Sequence, residues 1–532
     1  MAARIDLRPE LAQHLRQRLQ AFRDGFRHNL ALVGPPGSGK TFALHRVLQE
    51  QAPDLLIIYC PQYRESCRSF LQRFAVTILE TGLAGMHVPA EELLNRAAIQ
   101  IPKTAAALRP LESLLARRLY GEAFNRTLDA IPLLIEERRA SCVLILDEFL
   151  FLEELGLGHA FHELGKRVMT WPKTLFVLAS SSPYRARAIL RERLQLLFGQ
   201  FELITLDPPD PRHAAAWVRQ EAGALRGAKA ITPFLVRWLG AHPWYLSVFL
   251  KRMKELAALR QTREVNDALV VQTGWDVLGS PDGILHHWCV ARMESLAQGR
   301  AGARAVEVLM QIAAGARTAT EIGKRVGRAG LPGTLQLLLE HDLIQRKGMC
   351  WFIPDAIIRC WLAAILPAQR SGSGLGERAV RLSFEQHLAG AWNQWLQTTQ
   401  LSFSEQVSRL FANFRDDTVS LDSKTGRLQR FSTVTLQQPP EMPDSAAYLI
   451  AEGAGRRWCC TVQEGLVDEP TIARFDAFCR TQSPKPSRKI VITRRGVDDN
   501  ARLLAKTANM WVWAADDLEV LLDLYGAPAG GS

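Results

Sequence analysis

An apolar segment, Asn29 to Val33, runs straight into Gly34-Pro35-Pro36-Gly37-Ser38-Gly39-Lys40-Thr41. No other feature constrains the fold as strongly. Glycines let a loop wrap closely around an anion, with backbone N–H groups turned inward at the positive end of the next helix. The spacing GxxxxGK[ST] carries that meaning only between a strand and a helix. Here an apolar strand precedes the loop and a helical pattern follows it. The junction predicts a sheet edge that cradles phosphate through residues 34–41. It assigns Lys40 to the β- and γ-phosphates and the Thr41 hydroxyl to magnesium.

A second segment supplies the acids such a cradle needs. Val143-Leu144-Ile145-Leu146 is apolar throughout and ends in Asp147-Glu148. A buried strand of this kind delivers Asp147 to its C-terminal end, where it holds the metal's water shell. Glu148 beside it is placed to orient and deprotonate an attacking water, the task of a general base. The catalytic candidates are therefore Lys40 and Glu148, the metal candidates Thr41 and Asp147, and the expected cofactors ATP and magnesium. Another apolar run, Leu175 to Ala179, ends in Ser180-Ser181-Ser182. Ser180 and Ser181 are the candidates for a polar sensor of the γ-phosphate. Arg185, Arg187, Arg191 and Arg193 follow on one helix. Arg191 and Arg193 are candidates for an arginine finger serving a neighbouring copy, and a solvated helix face is the alternative.

With 532 residues the chain exceeds one ordinary core, and its 47% hydrophobic and 22% charged residues suit a folded multidomain protein. Arg8 to Phe26 reads as an amphipathic helix on Leu11, Leu15, Leu19 and Phe22. Further strands are expected at Leu55–Cys60 and Phe201–Thr205, with helices between about Thr81 and Arg139. Strands alternating with helices argue for a parallel sheet covered on both faces. The expected fold class is α/β and multidomain. An N-terminal helix and phosphate-loop core occupy 1–210, a helical lid 211–299 and a winged helix 300–368. A linker follows at 369–381, then an α/β module at 382–532. Within the winged helix, Thr318-Ala319-Thr320-Glu321 is a capping box opening the second helix, and Lys347-Gly348 is the wing tip.

These residues resemble the archaeal-type ATPases related to origin-recognition and STAND ATPases, in which an ATPase core precedes a winged helix and a nuclease-like segment. The resemblance rests on Arg8-Pro9-Glu10-Leu11, on the loop at 34–41 and on Leu146-Asp147-Glu148-Phe149. Gly240-Ala241-His242-Pro243-Trp244-Tyr245-Leu246 looks like the lid's GxP turn, which implies that Pro243 lies near base and ribose. Phe352-Ile353-Pro354-Asp355 resembles the segment after the wing. The chain departs from its relatives at Gln200, where an arginine is common, so arginine sensing is absent or moved to Arg191 or Arg193. The resemblance implies an AAA+ ATPase switch in a prokaryotic defence or mobile-element setting.

Residues 382–526 resemble a restriction-endonuclease-like fold. Such nucleases need an acid, then Glu-x-Lys on the next strand. Asp444 is the candidate acid, but Thr461 and Gln463 stand where Glu and Lys belong, so a degenerate, non-cleaving module is expected. Residues 300–378 hold eleven Lys/Arg against six Asp/Glu. Lys324, Arg325, Arg328, Arg346 and Lys347 are candidates for phosphate contacts, while Pro332–Glu340 offers little to read bases. Non-specific nucleic acid is thus the expected partner, consistent with a net charge of +11. The alternatives are a signalling ATPase whose winged helix and tail bind protein, and an ATP-gated nuclease. A homo-oligomer is also expected. His286-His287 with Cys289 reads as a helix surface rather than a metal site. Nine cysteines without CxxC spacing suggest reduced thiols in the cytoplasm, and apolar runs broken by charge argue against a membrane span.

Overall fold

The computed structural model describes residues 6–50, 55–83, 90–192, 201–223, 225–296, 299–370, 376–421, 424–438 and 446–525. They form two compact units. One comprises Met1–Lys254 with Glu340–Asp342, the other Glu255–Leu339 with Leu343–Ser532.

The first unit is built on a five-stranded sheet of β1 (Asn29–Val33), β2 (Leu55–Pro61), β3 (Ser141–Asp147), β4 (Thr174–Ser180) and β5 (Phe201–Thr205), in the order β2-β3-β4-β1-β5. Every pairing in it is parallel. Parallel strands need crossovers, and the helices that provide them cover both faces. The period-two alternation of β3 shows this directly. Cys142, Leu144 and Leu146 enter a core on one face, built with Phe70, Phe74 and Phe124. Val143 and Ile145 enter a second core on the other face, with Leu11, Leu15, Leu19 and Phe22 of the helix Pro9–Arg23. An apolar run buried on both sides is what the sequence of β3 demands. The first helix is shorter than expected and stops at Arg23, short of Phe26, which is 68% exposed. Among the described residues, the elements between β2 and β3 are all helices, ending in the long helix Tyr120–Arg138.

The second unit holds the helices Gly299–Ala313 and Ala319–Val326, the helix Leu331–Glu340 as far as Leu339, then a hairpin of β6 (Gln345–Lys347) and β7 (Cys350–Phe352). The capping box predicted at Thr318 and Glu321 is present, with both reciprocal bonds made. Its further strands are β8 (Asp417–Leu421), β9 (Lys424–Leu428), β10 (Thr433–Gln437), β11 (Ala446–Gly453), β12 (Arg456–Gln463), β13 (Arg488–Thr493) and β14 (Met510–Trp513). A five-stranded sheet runs β10-β11-β12-β13-β14, while β8 and β9 form a separate hairpin. The pairs β10–β11 and β11–β12 are antiparallel, and β12–β13 and β13–β14 parallel.

Two expectations are corrected here. Residues 376–381, placed in the linker, instead open the helix Gly376–Gln400. That helix lays Phe384 within 3.1 Å of where a side chain at Gly274 would begin, so the tail is not a free-standing module. The His286–Cys289 group is also not a surface. His286 and Cys289 are 5% and 0% exposed, and Trp361 packs edge-on against His286. Apolar neighbours at helical spacing pull both into the core.

The β6–β7 hairpin is docked within its own unit. Met349 donates its N–H to the Thr418 carbonyl at 2.9 Å, and Cys350 joins the core of Phe411, Phe414 and Trp513. Gly348 has φ +65°, and a Cβ there would lie 2.5 Å from the Thr418 oxygen. Gly348→Ala should therefore destabilise the protein by about 1–3 kcal/mol in urea denaturation. Gly333→Ala, on an open helical face with nothing within 4 Å, should instead be neutral or stabilise by up to ~1 kcal/mol. Equal effects at the two positions would contradict the docked hairpin.

Candidate functional site

The site forms where β1, β3 and β4 end together. β1 delivers the loop at 34–41, whose Gly37 and Gly39 have φ of +72° and +95°, conformations that favour glycine. The helix Lys40–Glu50 begins directly at the loop's lysine. Lys40 is 4% exposed, and its Nζ donates to the carbonyls of Gly34 (2.8 Å) and Pro35 (3.1 Å) and to Ser181 Oγ (2.9 Å). Burial lowers its pKa from the ordinary lysine value, opposed by the carboxylates of Glu148 and Asp147.

Asp147 ends β3. Its Oδ2 accepts from Thr41 Oγ1 at 2.8 Å and from the Tyr59 hydroxyl at 2.8 Å. Its Oδ1 is buried and meets no hydrogen-bond partner among the described residues. Glu148 follows with φ +57°, an uncommon conformation for a non-glycine residue, which turns the chain out of the strand. Both its carboxylate oxygens are engaged by Ser181, one by the backbone N–H at 2.9 Å and the other by the hydroxyl. Of the two sensor candidates, Ser181 thus touches both the lysine and the acid. Ser180 is fully buried, and its Oγ accepts from Ser182 N–H at 3.1 Å.

Two further elements clamp the loop. Arg8 donates from Nε to the Ser38 carbonyl at 2.9 Å and from its terminal nitrogen to the Asp207 carbonyl at 2.5 Å. Burial lowers the Arg8 pKa, against the opposing pull of Asp207 and Asp6. On the other side, His242 Nε2 lies 2.9 Å from the Pro36 carbonyl. A Cβ on Gly37 would sit 2.8 Å from Trp244 Cβ and 2.9 Å from His242 Cε1. Pro243, between those two residues, opens the helix Pro243–Leu259 against the loop. The GxP turn is therefore in contact with the loop at 34–41.

The sequence model described as "AAA ATPase domain" matches residues 7–156. This stretch is similar to AAA ATPase domains. Among solved structures, a Walker-type ATPase of Pyrococcus abyssi is 16% identical, covers 67% of this chain and 95% of its own, and has a TM-score of 0.47. The ORC2 protein of Aeropyrum pernix, in ADPNP–ADP complexes, is 15% identical, with coverages of 73% and 96% and a TM-score of 0.44. The RuvB Holliday junction branch migration motor of Thermotoga maritima is 14% identical, with coverages of 65% and 91% and a TM-score of 0.33. No curated protein matches the chain.

The residues gathered at the end of the sheet suit a nucleotide with its metal. Ser38 Oγ and Asp147 Oδ1 are buried polar atoms without partners among the described residues. Leaving such a group unmet costs about 1–3 kcal/mol, so a ligand that supplies partners gains that much. Gly34 and Gly37 let Leu206 and the His242–Trp244 turn pack close against the loop, and Lys40 offers a buried cation. Bound magnesium would supply charge neutralisation on the phosphate oxygens.

Arg8, Tyr59, Gln62 and His242 carried no assigned role at the level of sequence, although Arg8 and His242 lie within the quoted motifs. Gln62 is 3% exposed, donates its backbone N–H to the Asp147 carbonyl at 2.8 Å, and has both amide atoms without a partner among the described residues. Only the tertiary register brings these four to the loop and the acids. Arg191 is exposed on the helix Pro183–Glu192. Arg193, Gln200 and Asp444 lie outside the described residues. In the second unit, Gln463 Nε2 donates to Thr461 Oγ1 at 3.0 Å. Among the described residues there is no group of three or more His, Cys, Asp or Glu that holds a metal.

Because Arg8 braces the loop through a charged donor, Arg8→Ala should weaken binding of a fluorescent ATP analogue by about tenfold or more. Unchanged affinity would show that the loop keeps its shape without this brace.

Proposed function

We propose that the protein is a magnesium-dependent ATPase that works as a nucleotide switch on DNA. The observation that carries this reading is the convergence at the end of the sheet of two hydrogen-bonded groups, Thr41 with Asp147 and Lys40 with Ser181 and Glu148. In this reading the loop amides and Lys40 hold the triphosphate, and Thr41 and Asp147 hold the metal directly and through water. Pro243 borders base and ribose.

Glu148 is the general base for the attacking water. Its carboxylate sits on Ser181, so it must leave that serine before it takes a proton. Ser181 also receives Lys40. A γ-phosphate that draws Lys40 toward itself breaks one side of this arrangement, which couples nucleotide state to the freedom of the base. Arg191 or Arg193 would complete the site of a neighbouring copy in an oligomer. A prokaryotic defence or mobile-element system is the setting that the family resemblance suggests.

For the partner, Lys324, Arg325 and Arg328 are exposed on or just beyond the helix Ala319–Val326. Three cations on one short stretch suit backbone phosphates rather than base edges. A second reading, with the winged helix as a protein-docking face, is favoured by the β6–β7 hairpin. Its tip is engaged by β8, and Arg346 donates to the Gly348 carbonyl at 2.7 Å and lies over Trp351. The Thr461–Gln463 bond supports a tail that does not cut nucleic acid.

Lys40→Ala should lose nucleotide binding, because the buried cation is removed. Glu148→Gln should bind ATP and turn it over about 100-fold or more slowly, since loss of a general base costs roughly 10²–10⁴ in rate. Duplex DNA should raise wild-type turnover, and reversing charge at Lys324, Arg325 and Arg328 should abolish the increase and flatten its salt dependence. A steady-state ATPase assay with and without DNA reads all of these. Equal loss of binding in Lys40→Ala and Glu148→Gln would refute the roles given to them. Turnover indifferent to DNA would move the assignment to the protein-docking reading.

A further inference from the structure

Tyr59 lies on β2, and β2 pairs with β3 in parallel register with Pro61 opposite Asp147 and Tyr59 opposite Ile145. Side chains two residues apart share a strand face, so Tyr59 and Asp147 lie on the same side of the sheet. Thr41 and His45 stand four residues apart on the helix Lys40–Glu50, hence on one helix face. The His45 ring lies 4.5 Å from the Tyr59 ring, centroid to centroid. This contact fixes the phenol, so that its hydroxyl and that of Thr41 both reach Asp147 Oδ2, each at 2.8 Å. The same two bonds leave Asp147 Oδ1 buried and without a partner among the described residues.

We propose that Tyr59 is a positioning residue for the metal: it locks the Asp147 carboxylate so that Oδ1 is presented to the water shell of magnesium. The inference rests on the reading of Thr41 and Asp147 as the magnesium residues. When the Thr41 hydroxyl turns to the ion, Oδ2 loses one of its two donors. Tyr59 then remains as the donor that keeps the carboxylate from rotating. No proton or electron is transferred; the tyrosine acts by orientation alone.

The test is a magnesium titration of fluorescent ADP affinity on the full chain, with an EDTA arm, for the wild type, Tyr59→Phe and Asp147→Asn. Tyr59→Phe keeps the ring against His45 and removes only the hydroxyl. Its affinity in EDTA should match the wild type within about twofold, while the magnesium concentration for half-maximal tightening rises about tenfold. Saturating magnesium should restore wild-type affinity. A purely structural role would weaken binding in EDTA as well, and that result would overturn the proposal. So would a Tyr59→Phe titration that overlays the wild type while Asp147→Asn is shifted. If magnesium changes affinity in no variant, or Asp147→Asn titrates as the wild type does, the metal reading beneath falls, and the proposal with it.

Discussion

The hydrogen bond from Thr41 to Asp147 joins residues 106 positions apart, and the rest of the site depends on what makes that bond geometrically available. It requires β3 beside β4 and β4 beside β1, all pointing the same way. Parallel strands end at one edge, so the loop after β1, the acids after β3 and the serines after β4 meet there without further adjustment. The two cores that clamp the sheet hold this register. Slipping β3 by one residue would exchange the residues facing Phe70 and Phe74 with those facing Leu11 and Leu15. It would also turn Asp147 away from the helix that bears Thr41.

Around that edge, charge is handled by pairing and by deliberate incompleteness. Lys40 is buried but donates to two carbonyls and a hydroxyl, so its charge is tolerated in low dielectric. Glu148 is held at both oxygens. Asp147 is held at one oxygen only, and Ser38 Oγ is left unmet. Buried polar atoms are usually paired, and their concentration beside a cationic loop marks a surface shaped for a ligand. Arg8 on one flank and His242 on the other contact the Ser38 and Pro36 carbonyls of the loop.

Much of this arrangement was legible in the residues. Continuous apolar runs gave β1, β3 and β4, because strands buried on both faces cannot alternate with polar residues. Asp147 and Glu148 were visible as the first charges after such a run. Tyr59 was not, since its role comes from the register of β2 against β3 and from His45 across the helix. His242 is a histidine in a plain helix–helix turn until folding sets it on the Pro36 carbonyl. In the second unit, β8 and β10 alternate apolar Val419 and Leu421 or Val434 and Leu436 with polar neighbours, but over only five residues each, and β9 carries no such alternation. The docking of Gly348 on Thr418 is a contact between distant segments that local pattern does not encode. The buried His286 and Cys289 were misjudged because a helix hydrophobic on several sides gives little sign of which face is covered.

The central claim is that one loop and one strand end share a magnesium nucleotide. A structure of the protein with magnesium and a non-hydrolysable ATP analogue tests it most directly. The account predicts the triphosphate within residues 34–41, the ion on the Thr41 hydroxyl and, through water, on Asp147, and Glu148 released from Ser181. An analogue bound elsewhere, or an ion held away from both Thr41 and Asp147, would contradict it.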